Sequence, residues 1–495
     1  MNWLDQLSRF WPHLAAGFDF IAALLASVHA LLHKRDSRAA ALWLGFIWFL
    51  PGFGALFYLV LGVNRIRRRA VALGVHSALP RPVPENLGEP EHDGAAQLKL
   101  LARVVSRITS QPLVTGNKIE PLVNGDEAFP AMLDAIDAAK ISVSLSSYIF
   151  DNDASGRQFV DALARARQRG VAVRVLVDAA GTRYSWPPIT WRLKRARVPF
   201  ARFLRASPFT PWRVATINLR NHRKALVVDG NLAFSGGMNI RHGNILGAPA
   251  ASRLNGARAS APGPAKYFVQ DLQFRVAGPV VTQLQETFAN DWAFATGEIL
   301  DGEKWFPEVL DGGNVIARVI PDGPDADFDK ARLTLLAALA EAQTSVQILT
   351  PYFLPDPTLI AALNLAALRG VRVDILLPAK NNLPVVHWAS RAMWWQVLER
   401  GCKIWLSPPP FDHSKLMIVD GHWVFLGSAN WDARSLRLNF ELNVECYGRD
   451  FAREMQRVIE RKISAAREVT LAEADGRSLP AKLRDATARL FSPYL

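Results

Sequence analysis

The chain repeats one order of strands and helices in its two halves. The first half has an amphipathic helical stretch, the strand-like run SVSLSSYIF at 142–150, a second helical stretch and GVAVRVLVD at 170–178. The second half has the same order, with SVQILTPYF at 345–353 and GVRVDILLP at 370–378. Runs of β-branched residues that alternate with helices are typical of βαβ units. The sequence therefore predicts two homologous α/β halves built on a largely parallel sheet.

A matched histidine motif closes each repeat. The sequence NHRKALVVDGNLAFSGGMN occupies 221–239, and DHSKLMIVDGHWVFLGSAN occupies 412–430. The spacing is the same in both copies. Lysine lies two positions after histidine, aspartate five after lysine, glycine seven after aspartate and asparagine three after glycine. Histidine and lysine two positions apart on a strand share a face, so an imidazole and an ammonium can address one phosphate. The predicted catalytic residues are His222, Lys224, Asp229, His413, Lys415 and Asp420, and the predicted phosphate-binding residues are Asn239 and Asn430.

Two alternatives compete with this interpretation. A single histidine on an apolar strand is more often a satisfied core residue than a catalyst. A zinc site also uses histidine, but no third or fourth ligand occurs at metal-like spacing. Packing constrains hydrophobicity and not the identity of histidine, lysine and asparagine, so five residue types at equal intervals in two copies favour catalysis. The sequence therefore predicts one active site shared by the two halves, without a metal ion.

The motif H-x-K-x(4)-D followed by G-[GS]-x-N resembles the signature of the phospholipase D superfamily, and its surroundings resemble bacterial cardiolipin synthases. The similar segments are W-x(7)-P-x-x-G from Trp43, YIFDND from Tyr148, NLRNHRK from Asn218, TPYFLPD from Thr350 and RSLRLNFELN from Arg434. The resemblance covers nearly the whole chain. It implies two phospholipase D-like α/β sandwich halves related by a pseudo-twofold axis, preceded by an N-terminal transmembrane helical hairpin.

The resemblance also implies a mechanism. One histidine attacks a phosphodiester to form a phosphohistidine, and the other acts as general acid and then as general base. The pattern usual in the superfamily favours His222 as the nucleophile and His413 as the acid and base. Asp271 and Glu441 fall where each half supplies a carboxylate to orient its histidine.

The motif aspartates have a different expected role. Although Asp229 and Asp420 belong to the predicted catalytic motif, they are expected to be structural, each holding the loop after its strand. The equatorial phosphate oxygens are expected to be stabilised by Lys224, Lys415 and the two motif asparagines. No cofactor is expected, because one phosphodiester replaces another.

The implied activity is transphosphatidylation between two phosphatidylglycerol molecules, which yields cardiolipin and glycerol. A membrane-bound phospholipase D hydrolase and a synthase with another donor or acceptor lipid stay open. Lysine and arginine exceed acidic residues by 58 to 45, and the net charge of +13 attracts anionic phospholipid or nucleic acid. A nuclease would suit the charge but not the apolar N-terminal segments, and a non-catalytic scaffold would not need two intact motifs. The predicted partners are phosphatidylglycerol and the membrane, without nucleic acid, and the oligomeric state is not defined.

Two apolar segments at the N-terminus predict a membrane anchor. Residues 39–63 run for 25 positions without a charge, and a bilayer core needs about 20 apolar residues in a helix. Residues 14–32 are a second, interrupted candidate, because Asp19 and His29 lie within it. Basic residues outside the two segments outnumber those in the short loop between them. The positive-inside rule then predicts a multi-pass protein of a bacterial-type inner membrane with a cytoplasmic catalytic domain.

The predicted domain order is an anchor at 1–70, a linker at 71–115, the first half at 116–300, the second half at 301–465 and a C-terminal tail at 466–495. The linker is predicted from the proline-rich and acidic run at 79–94. Two features depart from the resembled pattern. A small-residue-rich insertion lies between Gly243 and Lys266, and Asn381 and Asn382 stand where an aspartate is expected after a strand. Both departures bear on substrate choice more than on chemistry.

The chain contains only two cysteines, Cys402 and Cys446. They form neither a disulfide framework nor a C-x-x-C motif. A reducing compartment and a packing role are the preferred interpretations, since free cysteine usually behaves as a small buried hydrophobe.

Overall fold

A computed structural model describes residues 3–34, 37–62, 98–109, 111–203, 219–247, 268–324 and 327–492. The chain divides into two compact units. One comprises residues 1–69 with 204–219, and the other comprises 70–203 with 220–495. The proline-rich run at 79–94 and most of the insertion between Gly243 and Lys266 lie outside the described residues.

In the N-terminal unit, the first apolar segment is a better candidate for a membrane-spanning helix than the second, contrary to the prediction. Helix α1 (Trp3–His33) contains a stretch, Phe10–His33, that is long and apolar enough to cross a membrane. The predicted span at 39–63 is divided into α2 (Ser37–Phe49), α3 (Gly54–Phe57) and a π-helical turn (Tyr58–Gly62). At 13 residues, α2 is shorter than the roughly 20 that a spanning helix needs. The prediction of one spanning helix over 39–63 is wrong, and a transmembrane hairpin is not confirmed.

The break after α2 has a local cause. Pro51 lacks an amide hydrogen, and Gly52 adopts a φ of +78°, which an L side chain disfavours. Gly54 packs so closely that a Cβ there would lie 2.5 Å from the Phe46 carbonyl oxygen. The Asp19 carboxylate accepts a hydrogen bond from the Gly52 amide at 2.6 Å. Asp19, which interrupts the first apolar segment in the sequence, thus stabilises the turn that interrupts the second.

The larger unit contains the two repeats. Its helices are α4 (Leu98–Thr109), α5 (Asn124–Ala138), α6 (Ala154–Gln168), α7 (Ile189–Arg195), α8 (Val280–Thr296), α9 (Lys330–Glu341), α10 (Pro357–Leu368), α11 (Pro384–Arg391), α12 (Trp395–Leu398), α13 (Ala433–Arg437), α14 (Arg449–Ser464), α15 (Leu471–Asp475) and α16 (Leu479–Arg489). Its strands are β1 (Val114–Val123), β2 (Ser142–Ser147), β3 (Ala172–Asp178), β4 (Phe200–Phe203), β5 (Arg220–Asn221), β6 (Ala225–Val228), β7 (Leu232–Gly236), β8 (Val269–Gln270), β9 (Leu272–Ala277), β10 (Val315–Asp322), β11 (Ser345–Leu349), β12 (Phe353–Leu354), β13 (Arg372–Pro378), β14 (Lys403–Ser407), β15 (Phe411–Asp412), β16 (Leu416–Val419), β17 (Trp423–Gly427), β18 (Trp431–Asp432), β19 (Asn439–Tyr447) and β20 (Arg467–Val469).

The main sheet has the same strand order on either side of its centre. It runs β20-β14-β13-β11-β16-β17-β19-β10-β1-β9-β7-β6-β2-β3-β4. From the antiparallel pair β1–β10, the strands β9, β7, β6, β2, β3 and β4 on one side match β19, β17, β16, β11, β13 and β14 on the other. The predicted pair of homologous α/β halves related by a pseudo-twofold axis is confirmed.

The prediction of a largely parallel sheet is wrong for the middle of the sheet. The pairs β2–β3 and β11–β13 are parallel, as expected of βαβ units. The motif strands instead form the antiparallel hairpins β6–β7 and β16–β17. Each hairpin turns at an Asp-Gly pair, at 229–230 and at 420–421, whose residues all have positive φ. Asp-Gly is a strong signal for such a hairpin, so the sequence did contain this information.

Among the residues that the structure describes, three apolar cores lie in the larger unit. One lies in the first half around Phe159, and one lies in the second half around Leu335. The third joins the halves and includes Val227 from β6 and Ile418 from β16. The two motif strands therefore share one core, which places their ends in one region.

Helix α4 revises the predicted linker. It lies within 71–115, yet Leu101 and Val105 are fully buried in the core of the second half. Arg318 on β10 donates to the Ala102 carbonyl and to the Ser106 hydroxyl. The predicted linker at 71–115 is therefore wrong in its C-terminal part, where a helix packs into the larger unit, while the extended run predicted at 79–94 lies outside the described residues.

Arg318 supports a prediction about stability. Its guanidinium pairs with Glu445 inside the sheet, and Trp423 and Tyr447 donate to the same carboxylate. Arg318→Met should lower the free energy of unfolding by about 3–5 kcal/mol, because a buried carboxylate loses its counter-charge. Denaturant midpoints of the full chain in detergent would measure this.

The control for Arg318→Met is Lys118→Met, which removes the cation of an exposed ion pair. It should cost at most about 1 kcal/mol. The double variant Arg318→Met with Glu445→Gln should recover part of the loss. Equal midpoints for the two single variants would contradict the importance of the buried pair.

Candidate active site

Each His-x-Lys segment runs beside a strand of the other half. Strand β5, just before His222, pairs in parallel with the start of β19. Strand β15, just before His413, pairs in parallel with β8. The His222 amide donates to the Phe440 carbonyl at 2.8 Å, and the His413 amide donates to the Gln270 carbonyl at 2.8 Å. The backbone of each half thus fixes the histidine of the other.

This pairing brings each imidazole to a carboxylate across the pseudo-twofold axis. His222 Nδ1 lies 2.9 Å from Glu441 Oε2, and His413 Nδ1 lies 2.8 Å from Asp271 Oδ2. Both predicted carboxylates therefore contact a catalytic-motif histidine. The expectation that each carboxylate serves the histidine of its own half is wrong, because the residue before each carboxylate pairs with the opposite half.

The two histidines and two lysines converge on one place. The imidazole rings of His222 and His413 lie edge to face with centroids 6.5 Å apart, and both residues are buried. A carboxylate holds Nδ1 of each ring, which leaves Nε2 for chemistry. Lys224 Nζ donates to the His222 carbonyl at 2.5 Å, and Lys415 Nζ donates to the His413 carbonyl. The structure thus brings together four predicted residues from distant parts of the chain.

Burial controls the charge of these groups. It lowers the pKa of His222 to about 4 and, with Lys415 and Lys224 nearby, holds the pKa of His413 well below its usual value. Both imidazoles are therefore neutral near pH 7. Burial also lowers the pKa of Lys224 to about 7 and that of Lys415 to about 8. An anion that binds here would favour the charged form of both lysines.

The two carboxylates are not equivalent. Burial raises the pKa of Asp271 to about 7. Burial also raises the pKa of Glu441, but its interactions with His222 and the Ser428 hydroxyl help to outweigh this effect and keep the pKa below its usual value. The first half has Gly237 in place of Ser428, and a Cβ at Gly237 would lie 2.6 Å from Asp271 Oδ1. The serine or glycine at this motif position therefore contributes to the different electrostatics of the two carboxylates, as does Asp412, whose charge raises the pKa of Asp271.

The two predicted phosphate-binding asparagines are both buried. Asn239 Oδ1 accepts from the Ile149 amide at 3.0 Å, which leaves the Nδ2 group as a donor. Asn430 Nδ2 donates to the Ser435 hydroxyl at 3.0 Å, and its Oδ1 accepts no hydrogen bond from the part of the chain that the structure describes. A half-turn of the Asn430 amide would let Ser435 donate to Oδ1 and would make Nδ2 the available donor, as at Asn239.

Comparison with known proteins agrees with this geometry. A family model described as "Cardiolipin synthase, PLD-like domain" matches 132–248 and 335–463. Cardiolipin synthase A of Pseudomonas putida (strain W619) is 31% identical over 99% of this chain and 100% of its own. The chain belongs to the cardiolipin synthase family of phospholipase D-like proteins. Cardiolipin synthase 2 of Bacillus anthracis is 31% identical, covering 96% of this chain and 90% of its own.

Two further similarities concern the N-terminus and the fold. A family model described as "Phospholipase_D-nuclease N-terminal" matches 21–62. The solved structure of phosphatidylserine synthase from Haemophilus influenzae Rd KW20 has a TM-score of 0.60 and 13% identity, and the match covers 80% of this chain and all of that chain. The latter likeness concerns the fold alone. The resemblance to the phospholipase D superfamily and to cardiolipin synthases, drawn from the motifs, is confirmed.

The motif aspartates of this cardiolipin synthase family member contact backbone groups. The Asp229 carboxylate accepts from the three amides of 140–142, and the Asp420 carboxylate accepts from the three amides of 343–345. Their φ angles are 49° and 53°, which aspartate tolerates better than most residues. These contacts agree with the expected structural role. They place both aspartates at the opposite end of the motif strands from the histidines, so their inclusion in the catalytic set is not supported.

Two matched tyrosines flank the histidines, and their role was not predicted. The Tyr148 ring lies 5.0 Å from the His222 ring, and the Tyr352 ring lies 6.3 Å from the His413 ring. Burial raises the pKa of both tyrosines, so both phenols stay neutral. The equivalent positions of Tyr148 and Tyr352 in the two repeats were a usable signal, because packing alone does not require tyrosine twice.

The asparagines at 381 and 382 take over part of the role expected of an aspartate. In the first half, Asp178 accepts from the Gly181 and Asn221 amides after β3. In the second half, Asn382 Oδ1 accepts from the Tyr352 hydroxyl at 2.8 Å. Asn381 Nδ2 donates to the Pro351 carbonyl at 3.0 Å. With asparagines in place of the expected aspartate, the loop after β13 is held by hydrogen bonds to Pro351 and Tyr352. The bond that Asn382 accepts orients the Tyr352 ring.

The contacts of Asp229 predict a loss of stability on substitution. In Asp229→Asn, asparagine tolerates the positive φ as aspartate does. Its side chain, however, has only one acceptor oxygen for the three amides that donate to the Asp229 carboxylate. The free energy of unfolding should fall by about 1–3 kcal/mol. The control is Asp134→Asn, on the exposed face of α5. This variant should change the free energy of unfolding by about 0.5 kcal/mol or less. Indistinguishable denaturant midpoints for the two variants would exclude the proposed loop-holding role.

Proposed function

We propose that this protein is a cardiolipin synthase that transfers a phosphatidyl group from one phosphatidylglycerol molecule to another and releases glycerol. The observation that carries the proposal is the buried pair of neutral histidines, 6.5 Å apart, each held by a carboxylate from the opposite half. Two such groups suit a reaction in which one attacks phosphorus and the other handles a proton. The full-length similarity to cardiolipin synthases supports the choice of substrate.

In the proposed first step, His222 Nε2 attacks the phosphorus of the donor phosphatidylglycerol. A phosphorus–nitrogen bond forms, the bond to the headgroup glycerol oxygen breaks, and glycerol leaves after taking a proton from His413. Lys224 and Lys415 stabilise the charge on the non-bridging oxygens together with Asn239 and Asn430. Neutral His222 is suited to the attack because burial lowers its pKa to about 4.

The unequal carboxylates support His222 as the nucleophile. Phosphorylation of an imidazole makes its ring cationic, and the ionised Glu441 stabilises that cation. Asp271 has a pKa of about 7, so the His413–Asp271 pair retains a proton that it can pass to a leaving oxygen. The environment of each carboxylate thus supports the proposed roles of the two histidines.

In the second step, a glycerol hydroxyl of the acceptor phosphatidylglycerol attacks the phosphohistidine. The His413–Asp271 pair takes the hydroxyl proton, a phosphorus–oxygen bond forms, and the phosphorus–nitrogen bond breaks. The product is cardiolipin, and His222 is again neutral. A water molecule in the acceptor's place would give phosphatidic acid, which is the outcome that separates a hydrolase from a synthase.

The membrane location is part of the same proposal. The apolar stretch Phe10–His33 is suited to spanning a bilayer, and membrane anchoring would keep the site near its lipid substrate. A bacterial inner membrane with the catalytic unit on the cytoplasmic side fits the distribution of basic residues in the sequence. The basic cluster at 65–69, on which this orientation depends, lies outside the described residues.

Reconstitution tests the proposed activity. Purified full-length protein in vesicles of phosphatidylglycerol should form cardiolipin and glycerol in equal amounts, measured by mass spectrometry and an enzymatic glycerol assay. His222→Ala and His413→Ala should each lose almost all turnover, while the exposed variant Lys118→Ala serves as the matched control. Phosphatidic acid as the main product would replace the synthase with a hydrolase.

Trapping tests the roles of the histidines. With phosphatidylglycerol labelled in its phosphate, the unchanged protein denatured within its first turnover should carry label on His222, and His222→Ala should carry none. His413→Ala should form this adduct more slowly, because the leaving glycerol lacks its proton donor. Glu441→Gln should slow formation of the adduct by about 10²-fold or more, because the cationic ring loses its partner. Peptide mapping identifies the labelled residue, and label on His413 would reverse the assignment.

A further inference from the structure

Exposed aromatic and basic side chains cluster after β3. The loop and helix α7 expose Tyr184, Trp186 and Trp191 to 59%, 93% and 52%. The surrounding stretch 179–203 contains six arginine and lysine residues and no aspartate or glutamate. We call this surface the rim patch, and it comprises Arg183, Tyr184, Trp186, Trp191, Lys194 and Arg195.

The rim patch is held in place by Asn152 in the YIFDND segment of the first repeat. The Asn152 amide donates to the Ser185 hydroxyl at 3.0 Å, and Asn152 Nδ2 donates to the Pro187 carbonyl at 3.0 Å. Arg192 Nε donates to Asn152 Oδ1 at 3.2 Å. These three bonds fix the loop on both sides of Trp186, so the exposed indole belongs to an ordered surface.

The rim patch also leads to the active site. The Tyr184 ring lies 6.3 Å from the Tyr148 ring, and the Tyr148 ring lies 5.0 Å from that of His222. The rings of Tyr184 and Tyr148 therefore connect the rim patch to His222, the proposed nucleophile. The second half has a less basic counterpart, since Leu383 and Val385 are also exposed after β13, but its loop lacks the cluster of cations.

We infer that the rim patch docks onto the surface of an anionic phospholipid bilayer and holds the His222 side of the site against it. Tryptophan and tyrosine favour the headgroup level of a bilayer, and arginine and lysine are attracted to anionic headgroups. Nucleic acid also binds cations and stacks on aromatic rings, but the proposed substrate lies in a bilayer. In that respect the inference rests on the proposed function.

Site-specific labelling tests the docking without using activity. Trp186→Cys in the full chain provides a labelling site, because Cys402 and Cys446 are buried. A bimane at 186 should be quenched by brominated lipids at least threefold more strongly in vesicles with 30% anionic lipid than in zwitterionic vesicles. The matched control is Lys140→Cys, an exposed position beside the Asp229 loop at the opposite end of the motif strand.

A kinetic test separates interfacial docking from catalysis. Trp186→Ala with Trp191→Ala should lower turnover of bilayer phosphatidylglycerol about tenfold. The same variant should act on monomeric, short-chain phosphatidylglycerol at the rate of the unchanged protein. Equal loss on both substrates would overturn the inference, because it would indicate a structural effect.

The two arms distinguish the inference from the proposed function. Quenching at 186 that does not exceed quenching at 140 would overturn the rim patch as a docking surface, even if cardiolipin is formed. Protection of the label by an oligonucleotide, without quenching by brominated anionic lipid, would also overturn it in favour of nucleic acid. Strong quenching without cardiolipin synthesis would support the docking surface and reject the proposed activity.

Discussion

The crossed histidine–carboxylate pairs are the interaction on which the rest of the active site depends. A buried imidazole needs a partner for Nδ1, and here that partner belongs to the opposite half, as Glu441 for His222 and Asp271 for His413. The backbone bonds beside each pair add a second link across the axis. A separated half would hold a histidine without its carboxylate and a carboxylate without its histidine. Docking of the halves and assembly of the site are therefore one event.

The symmetric sheet creates two similar environments, and single residues then make them different. Ser428 donates to Glu441, whereas Gly237 leaves no room for a side chain beside Asp271. A second difference lies one residue before each histidine. There, Asn221 donates to Asp291 in the first half, whereas Asp412 accepts from Lys462 in the second. Duplication supplies two equivalent histidines, whereas the proposed reaction needs one nucleophile and one proton carrier, and these substitutions make the two environments unequal.

Much of the fold and most of the site were predictable because they repeat in the sequence. The equal spacing of the two motifs identified both histidines, both lysines and both asparagines, and the structure brings the histidines and lysines together. The crossed pairing was not predictable, since which strand lies beside His222 depends on how the halves dock. The helix at 98–109 was missed although Leu101 and Val105 share one helical face, because the neighbouring proline-rich run suggested a connector. The helix break at Pro51 and Gly52 was also missed, because residues 39–63 are apolar without interruption by a charge.

The charges of the two motif lysines match a phosphodiester ligand. Burial, together with the charge of Lys415, lowers the pKa of Lys224 to about 7, and burial lowers the pKa of Lys415 to about 8. A phosphodiester carries one negative charge at all relevant pH values, so its entry would favour protonation of both lysines and relieve their repulsion. The same lysines would then stabilise the additional charge that develops on the phosphoryl oxygens. In the proposed reaction, substrate binding and transition-state stabilisation would therefore use one pair of cations, whose positions the two motif strands fix.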